Sequence, residues 1–195
     1  MNVLLHTCCG PCASACVPRL KEEGHGVALF FSNSNIDTRA EFDRRLEQAR
    51  KLGAADGVDV VADVYDHADW LEHVAAGFED APEKGARCAR CFRYSLARAA
   101  AYAAAHGYDG FTTSLTISPH KVSTMVFAAG ADAAWMASTA PCGGTSAAVP
   151  KFLAVDFKKR DGFLHSLRRT QELGLYRQAY CGCEFSKRAA ARDCL

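Results

Sequence analysis

Apolar and polar positions follow two patterns along the chain. Four short apolar runs predict strands, at residues 3–5, 27–31, 58–64 and 110–115. Elsewhere apolar side chains recur at helical spacing, as Phe42, Leu46 and Ala49 do, and they predict helices at residues 13–23, 40–52, 69–76, 88–106 and about 162–173. A further strand is predicted at residues 152–155, and residues 137–150 are typical of a loop.

The alternation of strands and helices predicts an α/β fold, a Rossmann-like parallel sheet with helices on both faces. With 195 residues, 49% of them hydrophobic, the chain can bury one sizeable core but is short for two typical domains. We therefore expect a single catalytic domain over residues 1–195. Ligands of such sheets bind at the carboxyl ends of strands, and there Cys8 and Cys9 follow the first predicted strand and Asp66 the third.

The amino terminus runs from a short apolar stretch straight into cysteines and lacks the parts of a secretory signal. No apolar run approaches the roughly 18 residues of a membrane span. We therefore expect a cytoplasmic protein with no membrane contact. Its ten cysteines are many for a reducing compartment, where cysteines more often bind metals or carry out redox chemistry than form structural disulfides.

The charge is unevenly distributed, although the formal net charge is only +1. Residues 151–195 carry ten Lys or Arg against five Asp or Glu, which gives this segment +5 and leaves −4 for residues 1–150. A basic C-terminal segment can contact the phosphates of a nucleic acid, but a solvated helix face has the same composition. The charge alone leaves both interpretations open.

Two cysteine groups have the spacing of metal ligands. Cys88 and Cys91 share one face at the start of a predicted helix, where the helix dipole favours thiolates. Cys8 and Cys9 add two sulfurs at a turn, so the four together could hold a [4Fe-4S] cluster. A structural zinc uses the same four-thiolate set, and the spacing does not separate the two.

Cys181 and Cys183 suggest redox chemistry instead. A disulfide between cysteines two residues apart closes a strained ring, and strained disulfides are easily reduced. Such a pair can store two electrons, although two further metal ligands are the alternative. They give the basic C-terminal segment its Cys-x-Cys motif.

The sequence Cys9-Gly-Pro-Cys12 matches a thioredoxin-like active site, because it follows a predicted strand and precedes a predicted helix. A thiol-disulfide oxidoreductase acting through Cys9 and Cys12 is therefore one alternative function, and a zinc-stabilised RNA-binding module is another. A thioredoxin domain would leave the remaining grouped cysteines unexplained. Three cysteines stand apart from the groups, and we expect them to be small buried hydrophobic residues: Cys16, Cys142 and Cys194.

Taken together, strings spread over nearly the whole chain resemble the QueH family of epoxyqueuosine reductases. Each string is weak alone, but their order and joint presence are specific. They are HTCCGPC at residues 6–12, SNSNI at 32–36, YD at 65–66 with Trp70, PE at 82–83, GARCARCFR at 85–93, FTT at 111–113, SPHK at 118–121, DFKK at 156–159 and YRQAYCGC at 176–183.

The resemblance implies a cobalamin-independent reductase that converts epoxyqueuosine to queuosine at the wobble position of the tRNA anticodon. It implies a [4Fe-4S] cluster whose ligand positions match Cys8, Cys9, Cys88 and Cys91, and a redox-active pair that matches Cys181 and Cys183. The family looks similar in fold to the PP-loop, adenine nucleotide alpha-hydrolase-like enzymes. Their nucleotide-binding loop is replaced here by residues 6–12, so we do not expect ATP use.

Further residues are hypotheses for the reaction itself. Asp66 is a candidate oxygen ligand or acid, with a helix N-cap as the alternative. Cys12 is a candidate redox residue or ligand of an additional iron. His120 and Lys121 are candidates for substrate binding or proton donation, the alternative being helix capping by Ser118.

The expected partners are tRNA carrying epoxyqueuosine and an electron donor such as a ferredoxin or flavodoxin. A wobble nucleoside must leave the anticodon stack to reach a buried site, which requires a pocket and contacts to the RNA backbone. The candidate phosphate contacts are Lys158, Lys159, Arg160 and Arg177. The candidate stacking residues are Tyr176 and Tyr180.

Overall fold

The computed structural model describes residues 1–139 and 149–192, with side chains up to residue 189. Across these residues one five-stranded parallel sheet forms, in the order β3-β2-β1-β4-β5. The strands are β1 (Asn2–His6), β2 (Gly26–Phe31), β3 (Val60–Ala62), β4 (Gly110–Thr113) and β5 (Lys151–Phe152). The prediction of an α/β fold with a Rossmann-like parallel sheet is confirmed.

The helices connect successive strands or follow the last strand. They are α1 (Gly10–Ala13), α2 (Cys16–Glu22), α3 (Arg39–Asp56), α4 (His67–Trp70), α5 (Ala86–Ala105), α6 (Ser123–Thr139), α7 (Gly162–Glu172) and α8 (Glu184–Arg192). A π-helical turn (Leu71–Ala75) extends α4, and a 3-10 turn (Ser114–Ile117) follows β4. No helix in the described ranges is long and apolar enough to cross a membrane.

Side chains of β1 alternate between two cores, since successive residues of a strand point to opposite faces. On one face Leu4 packs in a cluster with Phe30, Phe111 and residues of α5 and α6. On the other face Leu5 packs with Leu29 and residues of α2 and α3. Helices therefore cover both faces of the sheet, as the sequence predicted.

Several predicted boundaries are wrong, for local reasons. The first helix begins at Gly10 rather than residue 13, because the Cys9 sulfur caps it and Pro11 is preorganised for a first turn. Strand β4 ends at Thr113, whose hydroxyl accepts from the Leu115 amide and starts the 3-10 turn. Strand β5 ends at Phe152. Beyond it, the carbonyls of Leu153 and Val155 accept hydrogen bonds from threonine hydroxyls instead of from the backbone of a neighbouring strand.

Two helices have no counterpart in the predicted elements. Helix α6 is apolar on most sides and alanine-rich, so it lacks the amphipathic period that identifies a helix from sequence. It continues to Thr139 and takes the first residues of the predicted loop, whose residues 140–148 lie outside the described residues. Helix α8 was also not predicted, although it begins directly after Cys183.

Candidate functional site

The carboxyl ends of β1, β2 and β4 form the floor of the site. The register pairs His6 with Phe30 and with Thr113, so the residues that follow these strands meet at one edge of the sheet. His6 is buried and its ring contacts the Thr113 hydroxyl at 2.9 Å and the Ser32 carbonyl at 3.1 Å. Burial lowers the pKa of His6, so its ring is neutral at pH 7.

The turn after β1 brings three cysteines together. Cys9 adopts extended backbone before α1, and its sulfur accepts from the Cys12 amide at 3.3 Å. The sulfurs of Cys8, Cys9 and Cys12 all lie within 4.8 Å of one another, and the described residues contain no other such group of potential metal ligands. These three cysteines could bind a metal ion.

The pKa values of the three thiols are shifted in different directions. Hydrogen bonds from Cys12 and Cys9 hold the pKa of Cys8 well below its usual value. Burial raises the pKa of Cys9 to about 12, and the hydrogen bond to Cys8 raises that of Cys12. One thiolate stabilised by two neighbouring thiols is a site that a metal cation can occupy by displacing protons.

Helix α5 brings Cys88 and Cys91 toward this turn. Its start is fixed by Arg87, a buried residue whose Nη1 donates to the carbonyls of Phe78, Glu79 and Ala81 at 2.8, 3.0 and 2.7 Å. Cys88 packs on the same apolar cluster as Cys8, and its sulfur accepts from the Lys84 amide at 3.3 Å. Burial raises the pKa of the Cys91 thiol.

One cavity of about 470 Å³ joins the cysteine groups. Five cysteines line it: Cys8, Cys9, Cys12, Cys91 and Cys181. Its polar lining includes His6, Asn33, Asn35, His120, Lys121, Arg177, Gln178 and Tyr180. A cavity of this volume is in the range that accommodates a small ligand or a single nucleoside.

The two sulfurs of the Cys181–Gly182–Cys183 segment point to different surroundings. The Cys181 sulfur faces the cavity and accepts from the Lys121 ammonium at 3.0 Å. Cys183 is 9% exposed, packs against Trp70 and Val74, and is not among the residues that line the cavity. Burial lowers the pKa of Lys121, but Cys181 more than offsets this and the pKa is raised, so Lys121 is charged at neutral pH.

Other predicted residues fall into two classes by position. His120, Lys121, Arg177 and Tyr180 line the cavity. Lys158 and Lys159 do not: the Lys158 ammonium donates to the Lys121 carbonyl at 2.9 Å and the Ser123 hydroxyl at 2.7 Å, and Lys159 and Arg160 are exposed outside it. Lys158 therefore holds the segment that carries Lys121 in place.

The two tyrosines and Asp66 make local contacts. The Tyr180 hydroxyl donates to Asp37 at 2.9 Å, and the Tyr176 hydroxyl contacts Glu41 at 3.3 Å. The Asp66 carboxylate caps α4 by accepting from the Asp69 amide at 2.9 Å and does not line the cavity. Its position supports the N-cap interpretation and gives no support to a role in the reaction.

Near the cavity, the hydroxyl of Ser118 accepts from the His120 amide at 3.3 Å within a turn, and α6 begins only at Ser123. The alternative in which Ser118 caps a helix beginning at Pro119 is therefore wrong. Of the three isolated cysteines, Cys16 is fully buried as expected, and Cys142 and Cys194 lie outside the described residues.

Sequence reasoning missed several polar residues that line the site or lie behind it. Asn33 is the second residue after β2, and its side-chain amide donates to the Thr7 carbonyl at 2.9 Å. A polar run after a buried strand was the available signal. Arg45 and Gln48 lie inside α3, and both are buried. No local pattern distinguishes them from the exposed polar residues of the same helix.

The family model for epoxyqueuosine reductase QueH matches residues 3–189. The chain belongs to this family. Named epoxyqueuosine reductase QueH, the protein of Dehalococcoides mccartyi is 34% identical over 95% of this chain and 92% of its own length. Proteins of the same name from Acinetobacter baylyi and Streptococcus pyogenes are each 32% identical over 98% of this chain, covering 83% and 72% of their lengths.

Membership of the QueH family makes the chain an oxidoreductase of queuosine biosynthesis, a branch of tRNA processing. The resemblance of the sequence to this family is confirmed. The family match, which spans all three cysteine groups, favours the reductase over a thioredoxin-like oxidoreductase acting through Cys9 and Cys12 and over a zinc-stabilised RNA-binding module.

Proposed function

We propose that this chain reduces epoxyqueuosine to queuosine in the anticodon of tRNA, using a [4Fe-4S] cluster and the Cys181–Cys183 pair. The observation that carries the proposal is the cavity in which sulfurs from three separate segments, Cys8, Cys91 and Cys181, face one space. Because the substrate is tRNA, we expect the reaction to take place in the cytoplasm.

The donor set fits a cluster better than a single zinc ion. A tetrahedral zinc with bonds of about 2.3 Å needs its four sulfurs about 4 Å apart. The Cys8 and Cys9 sulfurs lie 4.0 Å apart, but among the described residues these two do not form so tight a group with Cys88 and Cys91. A [4Fe-4S] cluster takes one thiolate at each iron, so the four ligands stand farther apart. Cys12, close to both Cys8 and Cys9, is our candidate ligand for an additional iron.

The reaction requires two electrons and two protons, and it converts the epoxide to an alkene and water. Oxidation of the Cys181–Cys183 dithiol to a disulfide releases two electrons and two protons, so the pair balances one turnover. When bound, the cluster supplies electrons singly and an iron that can polarise the epoxide oxygen. A ferredoxin or flavodoxin is our expected donor for the next turnover.

The chain's own residues would position the substrate and direct the protons. Lys121 holds the Cys181 sulfur toward the cavity, and His120 and Tyr180 provide hydrogen-bonding groups on the same wall. Arg177 lies exposed at the cavity with its guanidinium 5.1 Å from the Phe163 ring centre. We propose that Arg177 contacts the RNA backbone while the extruded nucleoside enters. Lys159 and Arg160, the two exposed residues that follow Lys158 in the chain, would provide further contacts to the RNA backbone.

The first test measures iron, acid-labile sulfide and zinc per chain after anaerobic purification. About four irons with equal sulfide support the cluster. Stoichiometric zinc without sulfide contradicts it. Iron above four that disappears in Cys12→Ala supports the additional iron.

Variants then separate the roles of the cysteines. We expect Cys88→Ala to lose iron and the reduction of epoxyqueuosine tRNA, and Cys181→Ala to retain iron but lose turnover. The matched control is Cys16→Ala, which removes a buried sulfur away from the cavity and should retain both. Turnover by Cys181→Ala would contradict the redox role of the pair.

A further inference from the structure

Helix α3 carries two buried polar residues that contact two of the segments lining the cavity. Arg45 and Gln48 are 1% and 6% exposed, and their spacing of three residues puts them on the same side of the helix. Long polar side chains are rarely buried unless they are paired, so each needs a reason for its position.

Gln48 contacts both the turn that carries Cys8 and Cys9 and the segment that leads to Cys181. A Cβ on Gly10 would lie 2.5 Å from the Gln48 carbonyl oxygen, so the turn at Gly10 rests directly on the backbone of α3. The Gln48 side-chain oxygen accepts from the Tyr176 amide at 2.9 Å. One residue of α3 therefore contacts both segments.

Arg45 contacts the cysteine pair itself. Its Nη1 donates to the Cys181 carbonyl at 2.9 Å, its Nε donates to Glu41 at 2.6 Å, and the guanidinium carbon is 4.9 Å from the Tyr180 ring centre. The Asp37 amide donates to the Gly182 carbonyl at 3.0 Å. Two successive carbonyls of the Cys-x-Cys segment are thus held by groups from α3 and from the loop before it.

Burial lowers the pKa of Arg45, but Glu41 more than offsets this and the pKa is raised, while one end of the guanidinium stays unpaired. Its Nη2 is buried without a hydrogen-bond partner, and an unpaired buried donor costs about 1–3 kcal/mol. An apolar side chain of similar length would avoid this cost and fill the space, but it would leave the largely buried Glu41 carboxylate without its ion-pair partner. Of the two hydrogen bonds that an apolar residue would not provide, the one to the Cys181 carbonyl is the one that reaches the cysteine pair.

Resting on the reductase function proposed above, we propose that Arg45 is a positioning residue for the redox pair. By holding the Cys181 backbone, it keeps the Cys181 sulfur in the cavity and the Cys183 sulfur in the apolar pocket behind it. Because α3 also supports the turn of Cys8 and Cys9, one helix fixes the separation of the two cysteine groups.

The test compares Arg45→Met and Arg45→Lys with wild type, all anaerobically purified and loaded with metal. Iodoacetamide labelling followed by mass spectrometry gives the labelling rates of Cys181 and Cys183, and tRNA reduction gives kcat and KM. The matched control is Arg39→Met, which removes the exposed i,i+4 ion pair of Arg39 with Asp43 on the same helix. Cys16, fully buried, reports global unfolding.

We expect wild type and Arg39→Met to label Cys181 well before Cys183. In Arg45→Met we expect this rate ratio to fall about tenfold while Cys16 stays unlabelled, and kcat to fall about tenfold or more with KM little changed. Arg45→Lys, whose ammonium can still donate to one acceptor, should recover part of the labelling-rate ratio and part of kcat. If Arg45→Met does not fold, the same readouts are taken from Arg45→Lys, with a smaller loss expected.

An unchanged labelling ratio in a folded Arg45 variant would overturn the inference, as would a loss confined to KM. Failure of the proposed function looks different. In that case wild type itself shows no interconversion of Cys181 and Cys183 between dithiol and disulfide during turnover, while the labelling ratio still reports on Arg45.

Discussion

The Lys121 ammonium donates to the Cys181 sulfur across 3.0 Å, although the two residues are 60 positions apart in the chain. Lys121 lies between the 3-10 turn that follows β4 and α6, and Cys181 lies in the segment before α8. The Lys121 carbonyl is in turn held by Lys158 at 2.9 Å. We therefore propose that Lys121 takes a direct part in the chemistry of the pair.

Replacing Lys121 with Met should lower kcat by about a hundredfold, because the only change at the cavity wall is loss of the charged donor beside Cys181. Steady-state reduction of epoxyqueuosine tRNA measures this. The control is Lys159→Met at an exposed position that does not line the cavity, and it should change kcat less than Lys121→Met. Equal effects of the two substitutions would remove Lys121 from the mechanism.

Replacing Gly182 with Ala should disturb the cysteine pair. Gly182 has φ +149, and a Cβ there would lie 2.7 Å from the Asn35 amide nitrogen. We expect a loss of about 1–3 kcal/mol in the free energy of unfolding and a lower kcat. Gly174→Ala is the control, with φ +58 but open space around its Cβ, and urea unfolding compares the two. Similar losses in both would show that contact with Asn35 is unimportant.

Replacing Gly10 with Ala should reduce the iron content. The Cβ would approach the Gln48 carbonyl oxygen to 2.5 Å, and backbone atoms inside a helix cannot turn away as a side chain can. The turn that carries Cys8 and Cys9 must then shift from α3. Iron per chain measures the effect. The control is Gly24→Ala, whose backbone at φ +81 is strained by a side chain but whose Cβ would meet no other atom within 4 Å. Full iron occupancy in Gly10→Ala would contradict the prediction.

Asp63 should make stability depend on pH in the acid range. Its carboxylate accepts from Arg98 at 2.5 and 3.0 Å and from the Ser32 hydroxyl at 2.6 Å. Burial raises the pKa of Asp63, but Arg98 and Ser32 more than offset this and hold it below 3.8. A carboxyl with a lowered pKa stabilises the folded state above its ordinary pKa and loses that contribution as pH falls below it.

We therefore expect Asp63→Asn to be less stable than wild type by about 1–2 kcal/mol at pH 7, since the ion pair is only partly buried. The difference should close as the pH falls below 3.8. Urea unfolding of both proteins at several pH values measures it. A difference that is constant with pH would mean that the carboxylate charge is not responsible.

The sequence by itself determined the fold class and the grouping of the cysteines along the chain. Apolar runs such as residues 27–31 predict strands, because a strand buried on both faces is apolar at nearly every position. The spacing of Cys88 and Cys91, and of Cys181 and Cys183, is likewise local. The observed start of the first helix and the end of β4 differ from the predicted boundaries, because single side chains, Cys9 and Thr113, form the hydrogen bonds that set them.

Only the tertiary structure decided which residues meet. It put Lys121 beside Cys181, turned Lys158 inward to hold a carbonyl, and placed Asp66 at a helix cap rather than in the cavity. It also assigned Arg45, in the middle of an ordinary polar helix, to the carbonyl of Cys181. These contacts join residues far apart in the chain, and local patterns carry no information on them, because they arise from how the helices pack on the sheet.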